Sequence, residues 1–458
     1  MDITDPEREP TLLAEITHPD LNFTTSQPTL YYDCANNCTV GGDPSTIFDG
    51  EWLLAFGSGP NDLRTFETSE TAKVFTYNLE TNTVAGLDMD EVLISGNPVE
   101  RSFVGGLATR DWDLGEPGFR NDDVIYFGTV GTESATAAVS GTDGDDLIET
   151  GALYRFRPSA NDSFSLLFDA DRPIGSAPLP LSNEEIGANV LGSWVFFGTG
   201  IYQKQDDDFI ADTERLYGII EPVDQAALNN LGNATFDPTR ENSELLTYNT
   251  VLEGDLVDVT TVEVFNVDDS SLTGIIPAGV ETGDLVTPVT VGATTANNFN
   301  QLRQLIVENT SGWFRELPQP IINGDPTARL ATDLVFVQNF LFFTTFTPSS
   351  LNRDNICIGG EGSSMFFALN QTTGTTDGFS ATLGVDSSGR AINSIDLGRG
   401  LADTSALFNT EAGGGEGIIA IAPNGDGSAQ RIDPNGDGSP LQIGNSRTIR
   451  SGWREILQ

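Results

Sequence analysis

One phrase recurs along this chain: an apolar strand ending in Phe-Gly or Phe-Thr, a variable insert, then a second strand of aromatic and apolar residues. It reads WLLAFGSG then KVFTYNLETN, VIYFGTV then GALYRFRP, WVFFGTGIY then RLYGIIEP, and FLFFTTFTP then MFFALNQTTG. The spacing is regular: 71 residues separate Phe56 from Phe127, 70 separate Phe127 from Phe197, and 146, twice 73, separate Phe197 from Phe343. Short apolar bursts between Gly and Asn/Asp turns are the pattern of strands, and near-continuous apolar runs suit strands buried on both faces between neighbouring sheets. Propeller blades usually repeat at ~40–50 residues, so this spacing predicts an all-β propeller of four-stranded blades carrying long loop insertions. The double interval predicts one degenerate unit near residues 240–310. The Gly-, Thr-, Asp- and Ser-rich stretches 131–150, 250–297 and 412–440 read as loops on the propeller faces. Short helices are expected at 222–231 and 299–307.

At 458 residues without a Pro/Ser-rich linker, the chain reads as a single domain over 1–458. Its net charge is −45, with Lys73 and Lys204 the two lysines and arginine the remaining cation. That balance disfavours binding to nucleic acid or an anionic membrane, because both need basic patches to neutralise phosphate. Two readings of the acidity stand together: a solvated surface suited to a salty exterior, and carboxylates clustered to bind Ca²⁺. No apolar run is long enough to span a membrane. Residues 1–30 lack the regions of a signal peptide, and the natural chain is expected to begin before Met1. Of the three cysteines, Cys34 and Cys38 sit close enough for a local bridge in an oxidising compartment, and Cys357 is left over.

The strongest local candidate for chemistry is Asp111-Trp112-Asp113-Leu114-Gly115-Glu116 followed by Asp122 and Asp123, directly before the strand VIYFG. Ca²⁺ is a hard cation that takes six to eight oxygens, and alternate acids in a tight Gly-containing loop can converge on one ion. Against that stands the plainer reading, in which these carboxylates solubilise an exposed turn and Trp112 packs. GTDGDDLIE at 141–149 resembles one unit of a nonapeptide Ca²⁺ repeat but lacks stacked neighbours. PNGDGSA and DPNGDGSP at 423–429 and 433–440 read as turns, and Asp206-Asp207-Asp208 as a solvated loop. Catalytic sets are scarce. The sole histidine, His18, would have to serve any His-based triad or metal site and reads as a surface or packing residue. GEGSS at 360–364 does not meet the nucleophile-elbow pattern.

Taken in order, these phrases resemble the C-terminal β-propeller domain of PilY-type proteins of type IV pilus tips. DITDPEREPTLL, DGEWLLAFGSG with VFTYNLETN, RSFVGGLATRDWDLGEPGFRNDDVIYFGTV with GALYRFRP, RPIGSAPLP with WVFFGTGIYQKQDD and RLYGIIEP, GWFRELP, LVFVQNFLFFTTFTPSS, NICIGGEGSSMFFALNQTTG and SGWREIL all fall in family order. The family's calcium loop, Asp-x-Asp-x-Asp-Gly-x-x-Asp before a Tyr-containing strand, maps its last acid onto Asp123 and its first two onto Asp111 and Asp113, counting back from Tyr126. Here the loop is four residues longer and lacks the central Asp, so Glu116 or a backbone carbonyl would substitute.

The resemblance implies a quinoprotein-alcohol-dehydrogenase-like propeller that starts part-way into the ring, with fewer than the family's usual blades. It further implies a non-enzymatic, calcium-dependent module exported through the periplasm to the cell surface at the pilus tip. Minor pilins are the expected partners, with host or abiotic surface ligands as a further class. Two rivals come from other classes: a quinoprotein-type dehydrogenase, for which neither blade-closing Trp repeats nor a basic cofactor anchor is evident, and a calcium-dependent sugar-binding module.

Overall fold

The computed structural model describes residues 14–33, 51–63, 66, 68–89, 93–94, 97–98, 101–110, 124–133, 148–157, 163–182, 193–202, 213–222, 247, 249–267, 276–318, 327–330, 332–337, 339–348, 362–377, 383–400, 407–410, 417–423, 429–431 and 441–442. The chain divides into two compact units, Met1–Pro180 with Val223–Thr250, and Leu181–Pro222 with Val251–Gln458.

Among the described residues the first unit holds two large antiparallel sheets and the short antiparallel pair Leu93–Ile94 with Asn97–Pro98. Sheet one runs Thr29–Asp33, Glu51–Gly57, Lys73–Asn78, Thr83–Asp88, each strand beside the one before it. Sheet two repeats that order with Ser102–Arg110, Val124–Glu133, Ala152–Arg157 and Ser163–Asp169, and Ile148–Thr150 adds to Val124–Glu133. In the second unit, sheet three is built on Ser193–Gly198, Arg215–Ile220 and Gly312–Glu316. Sheet four runs Arg329–Leu330, Phe340–Thr347, Ser363–Asn370, Ser394–Arg399, with Val335–Val337 also on Phe340–Thr347. A fifth, shorter sheet takes Leu407–Thr410, Gly417–Pro423 and Ala429–Arg431, with Leu441–Gln442 paired to Gly417–Pro423. This succession of up-and-down antiparallel sheets is the organisation of propeller blades, and the all-β expectation holds.

The recurring phrase is the central hairpin of each of the first four sheets. Its marker Phe faces an aromatic directly across the ladder every time: Phe56 opposite Phe75, Phe127 opposite Tyr154, Phe197 opposite Tyr217 and Phe343 opposite Phe367. The rings stack, with centroids 5.8, 5.7, 5.0 and 4.7 Å apart and planes inclined by 22° or less. Cross-strand aromatic pairs of this kind contribute roughly 0.5–1.5 kcal/mol beyond area burial and pin the register.

The Gly after the Phe has its own cause. A Cβ on Gly57 would lie 2.2 Å from Val104 Cβ, on Gly128 2.3 Å from Ile174 Cγ2, and on Gly198 2.4 Å from Leu330 Cδ2. Only hydrogen leaves room for the following chain segment to come this close. The next residue completes the joint. The carbonyls of Ser58, Thr129 and Thr199 accept the N–H groups of Val104, Ile174 and Leu330 at 3.1, 3.0 and 3.1 Å. Their hydroxyls accept the N–H groups of Lys73, Ala152 and Arg215 at 3.0, 3.1 and 2.8 Å. Phe-Gly-Ser/Thr is therefore one device with three parts: a ring that sets register, a gap, and a hydroxyl residue that bonds two ways.

The long interval between the third and fourth phrases is not a degenerate blade. Its residues form an excursion that leaves sheet three after Ile220 and returns to the same sheet at Gly312–Glu316, which pairs antiparallel with Arg215–Ile220. Val257–Asp258 lies parallel on the far side of that returning strand. The excursion also carries the hairpin Asp284–Val291 with Thr294–Asn298, where the sequence reads as loop, and the helix Phe299–Asn309. The helix matches the expectation for 299–307. Asn298 caps it by accepting the Gln301 N–H at 3.0 Å, and Phe299, Leu302, Leu305 and Ile306 form its buried stripe. The helix expected at 222–231 lies outside the described residues.

Both faces of sheet one are apolar. Tyr31, Ala55 and Val74 pack with Val104, Ile125 and Phe127 of sheet two. On the other face Phe56, Phe75 and Tyr77 lie under Ala14, Ile16 and Leu21 of the incoming chain.

Candidate functional site

The five acids proposed to gather a cation, Asp111, Asp113, Glu116, Asp122 and Asp123, lie outside the described residues, which resume at Val124. What the structure does place is the frame on either side. Ser102–Arg110 and Val124–Glu133 are adjacent antiparallel strands, and their register runs out to Arg110 opposite Val124. Residues 111–123 therefore connect two strand ends held side by side, and Val124, Ile125 and Tyr126 behind them are fully buried. The donor set is carboxylate oxygen, which suits a hard cation such as Ca²⁺ and not a thiolate- or imidazole-seeking metal.

Other acidic loops singled out in the sequence, 141–147, Asp206-Asp207-Asp208 and 433–440, also lie outside the described residues, as do Cys34, Cys38 and Cys357. Residues 424–428 lie outside the described residues as well, and for Pro423, Ala429 and Glu149 only backbone is described. Among the described residues no group of three or more His, Cys, Asp or Glu is arranged to hold a metal ion, and no helix is long and apolar enough to cross a membrane.

His18 is a packing residue. Its ring sits 5.0 Å from Phe75, and Nδ1 accepts the Asp20 N–H at 3.2 Å, fixing a turn. Ser363 and Ser364 open the strand Ser363–Asn370, where Ser364 donates to the Gly400 carbonyl at 2.7 Å; this is no strand-to-helix elbow.

The preference for arginine over lysine acquires a structural reason. Three guanidinium groups are buried and donate to backbone carbonyls: Arg155 to Asn249 at 2.8 Å, Arg315 to Val259 at 3.1 Å, and Arg329 to Ile201 at 2.8 Å. Each ties a connecting segment to a sheet, a task for a planar, weakly hydrated fork. Burial pushes Arg315 down to about 10, and the nearby Asp258 and Glu263 carboxylates oppose that shift. On sheet three Arg215 lies over the Phe314 ring at 4.9 Å and pairs with Glu253 at 2.8 Å and Glu316 at 3.2 Å. Burial, the largest cause, pushes its neighbour Tyr217 up to about 12. These contacts tie strands and connecting segments together.

No protein-family model matches the chain, and no curated protein sequence matches it. Among solved structures, the chain is similar to the C-terminal domain of Pseudomonas aeruginosa PilY1, with a TM-score of 0.51 at 17% identity over 95% of this chain and 77% of that one. A second match, the major allergen Mala s 1 of Malassezia sympodialis, has a TM-score of 0.22 at 8% identity over 84% of this chain and 90% of that one. The first likeness shows a shared fold, while the second is too slight to support an argument.

Proposed function

We propose that this protein is a non-enzymatic module of the type IV pilus, acting at the cell surface as a tip-associated adhesin or biogenesis factor, with a loop at 111–123 that takes Ca²⁺. The observation that carries this reading is the fold shared with the PilY1 C-terminal domain along nearly the whole chain. The ordered run of family-like phrases supports it from the sequence side. The excess of acids over bases agrees with a partner that is neither nucleic acid nor anionic lipid.

In this reading Asp111, Asp113, Glu116, Asp122 and Asp123 supply the carboxylates. The paired strand ends at Arg110 and Val124 hold the loop's base, so that ion occupancy is coupled to the order of one blade. Minor pilins are the proposed partners, and host or abiotic surfaces the proposed targets of attachment.

Two measurements test the reading separately. Calorimetry with Ca²⁺ should find one strong site, lost in the Asp111→Ala/Asp123→Ala double variant; unchanged binding would remove the site assignment. Deleting the coding sequence should reduce surface pili or attachment, and a strain with normal pili and normal attachment would sink the function itself.

A further inference from the structure

Arg315 carries a buried charge that no carboxylate among the described residues pairs with at ion-pair distance. It lies two positions beyond Trp313 on the strand Gly312–Glu316, so the two side chains share one face of sheet three. The segment Asn370–Thr376, which follows a strand of sheet four, lies against that face. Trp313 Nε1 donates to the Gln371 carbonyl at 2.8 Å, and a Cβ on Gly374 would stand 2.4 Å from Trp313 Cε3.

Among the described residues Arg315 bonds through Nη1 alone, which donates to the Val259 carbonyl at 3.1 Å and to the Gly374 carbonyl at 3.4 Å. Both acceptors are fixed. The Val259 N–H is bonded to the Phe314 carbonyl at 2.9 Å, and the Gly374 N–H to the Asn370 carbonyl at 2.9 Å. The Nε–Nη2 edge, with three N–H groups, is left over, and neither nitrogen is among those sealed from solvent without a partner. The 7% of Arg315 that stays exposed therefore includes this edge.

Two acids lie near enough to act on the charge, Asp258 and Glu263, and both are engaged elsewhere. Asp258 Oδ1 accepts the Thr260 N–H at 2.9 Å, and Glu263 Oε2 is paired with Arg390 at 2.7 Å. A guanidinium buried without a carboxylate is costly, and burial pushes this one down to about 10. An anion that reaches the open edge relieves that cost.

The geometry of the fork and the charge of the chain select the anion. Parallel N–H···O bonds from Nε and Nη2 match the two oxygens of a carboxylate. A single negative charge is also the least opposed by a chain of net charge −45, whereas a dianionic sulfate meets twice the repulsion. Because so little of Arg315 is reachable, the ligand is small. We infer that Arg315 binds a small monocarboxylate, of the formate or acetate class, through its Nε–Nη2 edge, and that occupancy clamps Gly312–Glu316, Val259 and Asn370–Thr376 together. This site is separate from the loop at 111–123 and does not depend on the pilus reading.

The test is saturation-transfer NMR on the full chain with sodium acetate or sodium formate, at an ionic strength held constant with chloride. Either carboxylate should give a signal that saturates, half-way at about 1–10 mM. Acetamide, the neutral analogue of acetate, should give none, and sulfate should displace acetate at least about tenfold less readily than formate does. Hydrogen exchange in the unaltered protein locates the site: acetate should slow exchange at 257–262, 312–316 and 370–376 and leave the helix Phe299–Asn309 unchanged. Arg315→Lys keeps the charge but removes the fork and should weaken acetate binding by about tenfold or more, whereas Arg303→Lys on the helix should not change it. No saturating acetate signal, an equal signal from acetamide, or displacement by sulfate as readily as by formate would overturn the inference. So would exchange protection confined to other segments, or undiminished acetate binding by a folded Arg315→Lys chain. All but the last of these are read on the unaltered protein, so the test stays decisive if Arg315→Lys fails to fold.

Discussion

Replacing Gly198 with Ala should destabilise the second unit, although the backbone itself tolerates the change. Gly198 ends a strand and is not among the positive-φ glycines, so an added methyl would by itself stabilise by about 0.4–1 kcal/mol through the unfolded chain. Space decides the other way. The new Cβ would lie 2.4 Å from Leu330 Cδ2, 2.7 Å from its Cβ and 3.0 Å from its Cγ. Leu330 is 2% exposed and its N–H is bonded to the Thr199 carbonyl at 3.1 Å, so it has little room to retreat. Overpacking of this kind costs typically 1–3 kcal/mol. Subtracting the entropic gain leaves a net loss of between about 0 and about 2.6 kcal/mol, centred near ~1.3 kcal/mol. Urea denaturation of Gly198→Ala should show a lower midpoint. In a Leu330→Ala background, which removes two of the three clashing atoms, the same substitution should cost measurably less. Gly254→Ala, where the added Cβ meets nothing within 4 Å, is the control and should be neutral or slightly stabilising. A midpoint for Gly198→Ala at or above the parent's, or a cost unchanged in the Leu330→Ala background, would refute the reasoning.

Thr199→Val keeps shape but removes the hydroxyl that accepts the Arg215 N–H at 2.8 Å; stranding that donor should cost ~1–3 kcal/mol by urea denaturation, and a loss below a few tenths would show that the hydroxyl is incidental. Asn298→Ala removes the cap of the excursion helix and should cost about 0.5–2 kcal/mol, with hydrogen exchange rising first in residues 299–302. At alkaline pH the buried Tyr217 phenol, pushed up to about 12, resists ionisation in the fold. A raised phenol gives stability that is complete below the unfolded value near ~10 and is lost as pH rises through the folded value. Tyrosinate absorbance in that window should therefore rise together with loss of tertiary circular dichroism. Full tyrosine ionisation at pH 10 in an intact fold would contradict it.

The hairpins of sheets one to four were legible because each phrase holds both strands of its hairpin within a short separation, with the aromatic pair written at fixed positions. The helix was expected at 299–307 and ends two residues later, at Asn309. The return of Gly312–Glu316 to sheet three was not legible. Equal spacing invites the inference of a missing repeat, and the pairing of Tyr217 with Phe314 across the ladder joins positions far apart in the chain. The hydroxyls of Ser58, Thr129 and Thr199 stand in plain view after each Phe-Gly, yet nothing local distinguishes a residue that bonds two ways from an ordinary turn residue. The acidic loop is the opposite case: its chemistry is readable from residue type, while its geometry falls outside the described residues. The exposure of Leu30 and Trp52, 46% and 38%, was not legible either, since apolar residues in a strand signal burial.

The joint at Phe-Gly-Ser/Thr has a bearing on how the chain is completed during synthesis. The acceptor at Ser58 waits for Val104, that at Thr129 for Ile174, and that at Thr199 for Leu330. A nascent chain halted short of Val104, Ile174 or Leu330 therefore leaves that acceptor unfilled, with a glycine notch beside it. A truncation that ends beyond the next donor keeps the joint, and one that ends before it leaves an open seam.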